Sequence, residues 1–226
     1  MLNVKRTVEV SQTSWAELKE AAEAGKLGEM LHSGDTLGIT LKNGEDVVLV
    51  VGQDQNGNVF FVTQDCLREE HRMNRDATNR GGWAATEMRR YLNKDVLALL
   101  PDDLQAVIKP TTIVQIVNGE RVETQDKLFC LSATQVFGNG SWTAREPEDT
   151  QLDIFRREKD RVKECGSCGT WFWWLRSATI TTPSAMSAAT ALAAATVPAA
   201  LTAWRSASPF NQISSAIWPH LWGLPE

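Results

Sequence analysis

Cys165 and Cys168, separated by Gly166 and Ser167, are the pair whose spacing could do redox or metal chemistry in this chain of 226 residues. A zinc ribbon needs a second close pair, and the remaining two cysteines, Cys66 and Cys130, stand far from each other. A redox Cys-x-x-Cys motif opens a helix after a strand. Here an aromatic, strand-like run follows Cys168 instead. The four cysteines therefore read as buried or incidental thiols plus a turn, with a redox pair, or convergence of four scattered ligands, left open. The three histidines, His32, His71 and His220, lie in no His-Glu-x-x-His motif, and no Gly-x-Ser-x-Gly occurs. His71, beside Glu69 and Arg72, reads as a solvated loop residue. No acidic loop with calcium-ligand spacing precedes Ser177. The expectation is no catalytic residue, no metal, no cofactor, and a protein that is not an enzyme.

Binding is the other chemistry the residues could do. Trp171, Phe172, Trp173, Trp174, Leu175 and Arg176 follow one another without interruption. As a strand, the run puts Trp171 and Trp173 on one face and Phe172 and Trp174 on the other. One face must be core. The other could stack on sugar or peptide, because exposed aromatic clusters mark binding sites. Packing is the first reading of the run; Trp171, Trp173, Trp174 and Arg176 are the candidate ligand-binding residues. Arg176 also reads as a buried arginine paired with a carboxylate or backbone carbonyls. A net charge of -5 and a pI near 5.3 argue against nucleic acid as a partner, since phosphate contacts need clustered Lys and Arg. The basic stretch 156–163 is interrupted by Glu158 and Asp160 and reads as a solvated helix face.

The elements that must position these residues can be read in order. Ser14 followed by Glu17 is a helix-start signature, with Trp15, Leu18 and Ala22 at helical spacing and Gly25 as the stop. Leu27, Met30 and Leu31 suggest a further turn. Residues 36–41, 46–51 and 59–63 read as strands joined at Asn43-Gly44 and around Asn56-Gly57, hence an antiparallel meander. Helical segments are expected over 86–92, over 96–100, and from Pro101 as a first helical residue. Residues 111–117 and 121–123 form a hairpin across Asn118-Gly119. A short strand is expected over 127–132, a loop at 136–138, another at Asn139-Gly140, and a helix over 149–163. Residues 171–175 are the late strand.

Several of these segments resemble a known family. Gly82-Trp83-Ala84-Ala85-Thr86-Glu87-Met88-Arg89-Arg90-Tyr91-Leu92-Asn93 looks like its "GGW-x-x-S-E-M-R-x-x-L-N" helix. Leu100-Pro101-Asp102-Asp103-Leu104 follows. Asp126-Lys127-Leu128-Phe129-Cys130-Leu131-Ser132 looks like its "D-K-L-F-x-L-S" strand, with Val136-Phe137-Gly138 as the next loop and Trp173-Trp174-Leu175-Arg176-Ser177 as the late strand. These motifs, in order, resemble the domain-of-unknown-function family 6273, found in phages, prophages and gut Firmicutes. The resemblance implies an α+β, C-type-lectin-like fold, related to formylglycine-generating enzymes, with helices packed on a twisted antiparallel sheet. Gly82, Trp83, Met88, Arg89, Arg90, Asp126, Lys127 and Phe129 are then its structural motif residues. Trp83 and Met88 read as core. Arg89 and Arg90 read as salt bridges fixing the helix to the sheet, and Asp126 and Lys127 as a turn and a strand edge. The copper-binding cysteine motif of the formylglycine-generating oxidases is not matched by Cys165 and Cys168.

Domain organisation follows from a change of composition. Residues 1–177 read as the lectin-like domain. Residues 178–226 are an Ala/Ser/Thr-rich tail whose only charged side chains are Arg205 and Glu226. Reading each codon of the tail from its old third base turns Thr into Asn, Asp, His or Tyr and Ala into Gly, Ser, Arg or Cys. That restores the polar ending the resemblance implies. A frameshift near Ser177 or Ala178 is one reading; a genuine low-complexity tail is the other. The opening residues lack the apolar core of a secretory leader. Residues 185–203, broken by Pro198, are too weakly apolar to span a membrane. Synthesis in the cytoplasm and association with a virion are expected. The function expected is a non-catalytic ligand- or receptor-binding module of phage or prophage origin, with a glycan or cell-surface ligand as partner. A structural subunit of a particle, compatible with a homo-oligomer, is the alternative, and an oxidase of formylglycine-generating type ranks below both.

Overall fold

Ser14 sets the first helix in place. Its hydroxyl accepts from the Glu17 N–H at 3.3 Å, and its own N–H donates to Glu17 Oε2 at 2.7 Å, a reciprocal capping box. The Ser14 hydroxyl also donates to Glu17 Oε2 at 2.9 Å, and this bond first, then those from the Ser14 N–H and the Thr13 hydroxyl, hold the Glu17 carboxyl below its usual range. Helix α1 (Trp15–Glu23) follows and ends as expected before Gly25, at φ 70°; α2 (Leu27–Met30) is the further turn. The structure, a computed structural model, describes residues 2–5, 10–69, 71–76, 78, 80–138, 148–165, 168–171, 189–190 and 203–204.

The meander forms as the sequence predicts. Strands β3 (Thr36–Thr40), β4 (Asp46–Gln53) and β5 (Val59–Thr63) pair antiparallel, with Leu37 opposite Leu49 and Val51 opposite Phe61. Two strands not anticipated extend the sheet, β1 (Leu2–Lys5) and β2 (Val10–Thr13), giving the order β2-β1-β3-β4-β5. Alternation buries Leu37, Ile39, Val47, Leu49 and Val51 on one face. Trp15 of α1 meets Phe61 edge-on there, ring centroids 5.5 Å apart. β5 is buried along its whole length because its second face is covered as well. Gly52, opposite Phe60, leaves room for Ile154, whose Cδ1 would lie 3.0 Å from an added Cβ.

The two helical segments expected between residues 86 and 100 are continuous. A 3-10 turn (Trp83–Ala85) leads into α3 (Glu87–Tyr91), a wide π turn (Leu92–Val96) and α4 (Leu97–Leu99). Met88, Leu92, Val96 and Leu100 are all buried. A strict four-residue spacing drifts around an α-helix by about 40° per step, and the wide turn brings the row back toward the core. Pro101 caps α5 (Asp102–Val107) from outside it instead of being its first residue. Strands β6 (Thr111–Val117) and β7 (Glu120–Asp126) form the expected hairpin, with β7 longer than its sequence suggested. Asn118 and Gly119 both take positive φ, 54° and 86°, the geometry a two-residue hairpin turn requires.

Three expectations fail downstream. Residues 127–132 are not a strand: a side chain, Asn93, takes up hydrogen bonds that a neighbouring strand would have made, and the stretch runs as buried irregular chain. Residues 136–138 are not simply a loop. They end α6 (Ala133–Phe137), which a second capping box starts, Ser132 with Gln135. Residues 149–163 form no α-helix, so the solvated helix face is also withdrawn. Two 3-10 turns (Asp153–Phe155 and Glu158–Arg161) lead into β8 (Val162–Cys165). Tertiary anchors override helical propensity here: Leu152 and Phe155 are buried, Asp153 Oδ1 accepts from Gln53 N at 2.8 Å, and Leu152 N donates to Gln135 O at 2.9 Å.

β8 pairs antiparallel with β9 (Cys168–Trp171), and β10 (Ala189–Thr190) with β11 (Ala203–Trp204). The described chain is thus α+β, with antiparallel sheets and short helices around one hydrophobic core that runs from Trp15 to Phe155. Among the described residues, no helix is long and apolar enough to cross a membrane.

Candidate functional site

Two motifs far apart in sequence meet at one buried carboxylate. Asp126, the last residue of β7, is 1% exposed. Its Oδ2 accepts from Trp83 Nε1 at 2.9 Å and from Thr124 Oγ1 at 2.7 Å. Arg89 Nε straddles both oxygens at 2.8 and 3.0 Å. A buried carboxylate is tolerated only when paired and hydrogen-bonded, and this one is both. Asp126 is therefore the end of a strand and not a turn residue. It ties the 3-10 turn and α3 to the end of β7.

The neighbouring residues explain how the motif reaches that geometry. Gly82 takes φ 60°, and an added Cβ would meet Val117 Cγ2 at 2.7 Å and Gln115 Oε1 at 2.8 Å. The absence of a side chain lets Trp83 N donate to Gln115 Oε1 at 2.7 Å. Thr86 then caps α3: its hydroxyl donates to Trp83 O at 2.9 Å and accepts from Arg89 N at 3.1 Å. Glu87 N and Met88 N, the other open donors of that turn, reach Asn74 Oδ1 and Met73 O, each at 3.0 Å. One turn on, Asn93 Oδ1 accepts from Lys127 N and Leu128 N at 2.9 and 3.1 Å, while its Nδ2 donates to Leu128 O at 2.8 Å. Sequence reasoning placed Asn93 in a motif without giving it a role, and missed Gln115. Trp83 and Met88 are core as read, and Phe129 is buried as well. Arg90 is exposed and only 4.0 Å from Glu87, so the pairing to the sheet belongs to Arg89 alone. Lys127 reaches Gln105 O at 3.5 Å.

This node is a clamp, not a reaction centre. Its acceptors face inward and are occupied by three side-chain donors. A second polar cluster lies at Tyr91, the single tyrosine of the chain. Its hydroxyl is pushed up to about 12, by burial first, then by the charge of Glu69 and a hydrogen bond to it, then by Asp95 and Glu45. It remains a proton donor rather than a base. The His71 ring stacks on it at 3.9 Å and 12°. His71 Nδ1 lies 2.8 Å from Arg72 O; a carbonyl only accepts, so that nitrogen carries a proton. His71 is thus a partly exposed loop residue, as read, whose ring also packs on Tyr91 of α3. No motif spacing could have revealed the stack, because it depends on the turn of the chain between β5 and α3. Among the described residues, no group of three or more His, Cys, Asp or Glu could hold a metal ion.

The aromatic run begins on β9, where Trp171 is paired with Val162. Trp173, Trp174 and Arg176 lie outside the described residues, as do the loop at Asn139-Gly140 and most of residues 178–226. Cys165 and Cys168 face each other across β8 and β9 as Cα partners. Cys66 is disulfide-bonded and so is not an incidental thiol; Cys130 is a buried thiol.

A family model described as "Domain of unknown function (DUF6273)" matches residues 56–203, well over half of the chain. The match covers the glycine-tryptophan turn, the Asp126 clamp and the aromatic run, and it continues past Ser177. No curated protein and no solved structure matches the chain. The chain belongs to the DUF6273 family.

Proposed function

We propose that this member of the family is a non-catalytic binding module of phage or prophage origin, built on a C-type-lectin-like scaffold and presenting its late aromatic run to a glycan or other cell-surface ligand. The observation that carries the reading is the division of labour in the chain. The buried polar side chains of the Gly82–Asn93 motif are spent on one another, in the Asp126 clamp and the Asn93 bonds. They fix a scaffold and leave no activated nucleophile or base there. The aromatic run, by contrast, starts on a separate two-stranded hairpin, β8–β9, outside the five-stranded sheet. Rigid cores that carry function on appended loops and hairpins are the usual arrangement for binding proteins. Tryptophan and arginine, which both occur in the run, are the residues that anchor such interfaces.

The Cys66 disulfide supports the same reading. Disulfides persist in oxidising surroundings such as virion and cell surfaces, and the reading places the module there. The test is a binding screen with the full chain against immobilised bacterial surface polysaccharides and peptidoglycan fragments. Saturable binding to a defined glycan is the expected result. A tight homo-oligomer that binds none of these probes nor whole host cells would favour a structural particle subunit and sink the proposal.

A further inference from the structure

We propose that the segment between β5 and the 3-10 turn at Trp83 carries a binding surface for an anionic polysaccharide, with Arg72, Arg75 and Arg80 as its contacts. The chain is acidic, with 28 Asp and Glu against 23 Lys and Arg, so an arginine in it has carboxylates to pair with. Arg89, Arg90, Arg121 and Arg157 each do so. Arg72, Arg75 and Arg80 are exposed, and among the described residues none of the three is in an ion pair. Residues 71–80 hold one acid, Asp76, against these three. Glu69, just before them, is hydrogen-bonded to Tyr91, and Glu87, just after, lies 4.0 Å from Arg90. A positive field is thus left open to solvent on a negative protein.

The backbone that carries these arginines is anchored along α3. The His71 ring stacks on Tyr91 at 3.9 Å, the buried Met73 accepts at its carbonyl from Met88 N at 3.0 Å, and Asn74 Oδ1 accepts from Glu87 N at 3.0 Å. Arg72 and Arg75 therefore stand next to fixed residues. Asn74 Nδ2 donates to Thr78 O at 2.7 Å, and Arg80 N donates to Thr78 Oγ1 at 3.1 Å, which closes a turn and brings the chain at Arg80 back toward Asn74 and Arg75. Ordering the backbone in advance lowers the entropy cost of binding. The N–H groups of the first turn of α3 are already taken by Asn74, Met73 and Thr86, so recognition falls to the guanidinium groups. Each is a planar fork that meets a carboxylate or phosphate with two N–H donors. Three forks spread along an exposed loop suit a chain of repeated charges better than one small anion. Duplex nucleic acid carries a charge every ~1.7 Å of its axis, which a protein of net charge -5 repels and three arginines do not match. A polysaccharide with sparser anionic groups fits. The surface uses no residue of the aromatic run and stands apart from the reading of that run.

The test is binding of the full chain to immobilised polygalacturonate, phosphorylated dextran and uncharged dextran at low and high ionic strength. Saturable binding to at least one charged polymer, none to uncharged dextran, and loss of binding on adding salt are expected. Arg72→Gln, Arg75→Gln and Arg80→Gln should each weaken it about threefold, and about thirtyfold together, the scale of exposed ion pairs that add independently. Arg157→Gln, whose side chain is 72% exposed and paired with Asp160, should leave it unchanged. No binding to either charged polymer, or a triple variant that binds as the wild type does, overturns the proposal. Tighter binding to duplex DNA, abolished by the same three substitutions, would assign the surface to nucleic acid and overturns it as well. The three side chains are exposed, so the triple variant should keep the wild-type unfolding midpoint. If it does not, the single variants decide, and a loss in none of them overturns the proposal.

Discussion

Replacing Asp126 with alanine should destabilise the protein by roughly 2–4 kcal/mol, and the size follows from what it leaves behind. The Trp83 indole N–H is buried and would lose its acceptor; a stranded buried donor costs about 1–3 kcal/mol. Arg89 would lose a two-oxygen partner, but its side chain is 29% exposed. Water can therefore recover part of that interaction, and its loss adds only about 1 kcal/mol. Thr124 can turn its hydroxyl and contributes little. Asp126→Asn should fall between alanine and wild type, because one amide oxygen still accepts while the amide N–H groups point at donors. The assay is equilibrium unfolding in urea followed by tryptophan fluorescence, with the midpoint moving and the slope constant. Arg90→Ala is the internal control: its side chain is 73% exposed, and it should change stability by no more than about 0.5 kcal/mol. If Asp126→Ala moved the midpoint no further than Arg90→Ala, the clamp would not hold the motif helix to the hairpin.

Three further outcomes follow from the same structure. Gly82→Ala should cost about 1–3 kcal/mol, from a strained positive φ and the contact of its Cβ with Val117, measured by the same unfolding assay. Ser14→Ala should cost about 1 kcal/mol through loss of the α1 cap and should leave any ligand affinity unchanged. The lone tyrosine gives a clean alkaline titration: absorbance near 295 nm should show Tyr91 ionising at about 12 in the folded chain against 10.0 for an ordinary tyrosine. Because folding raises this pKa, the stability it contributes is complete below the ordinary value and is lost as pH rises through the folded one. A folded-state midpoint at the ordinary value would mean that Glu69 and burial do not act on the phenol.

Local signals made part of this fold readable. Asn43-Gly44 and Asn118-Gly119 announced hairpins because few other residues take the positive φ such turns need. Ser14 and Glu17 announced α1 because their side chains satisfy each other's backbone. The same signature, Ser132 with Gln135, stood unread ahead of α6 because the apolar residues before it suggested a strand. That strand does not form, since Asn93 supplies its hydrogen bonds from 34 and 35 residues away. The site divides in the same way. The residue types of the Asp126 clamp were visible as motifs, but their meeting is a tertiary event, 37 residues apart between Arg89 and Asp126 and 43 between Trp83 and Asp126. The Tyr91 and His71 stack left no periodic trace at all.

The measurement that bears most directly on the central claim is a comparison of wild type with Trp171→Ala, Trp173→Ala and Trp174→Ala for binding to the glycan or cell-surface preparation that the full chain retains, with unfolding midpoints recorded for each. The account predicts that at least one substitution weakens binding tenfold or more, about 1.4 kcal/mol, while its unfolding midpoint stays close to that of the wild type. Loss of stability in all three with affinity untouched would assign the whole run to the core and contradict the reading of β9 and its continuation as a ligand surface.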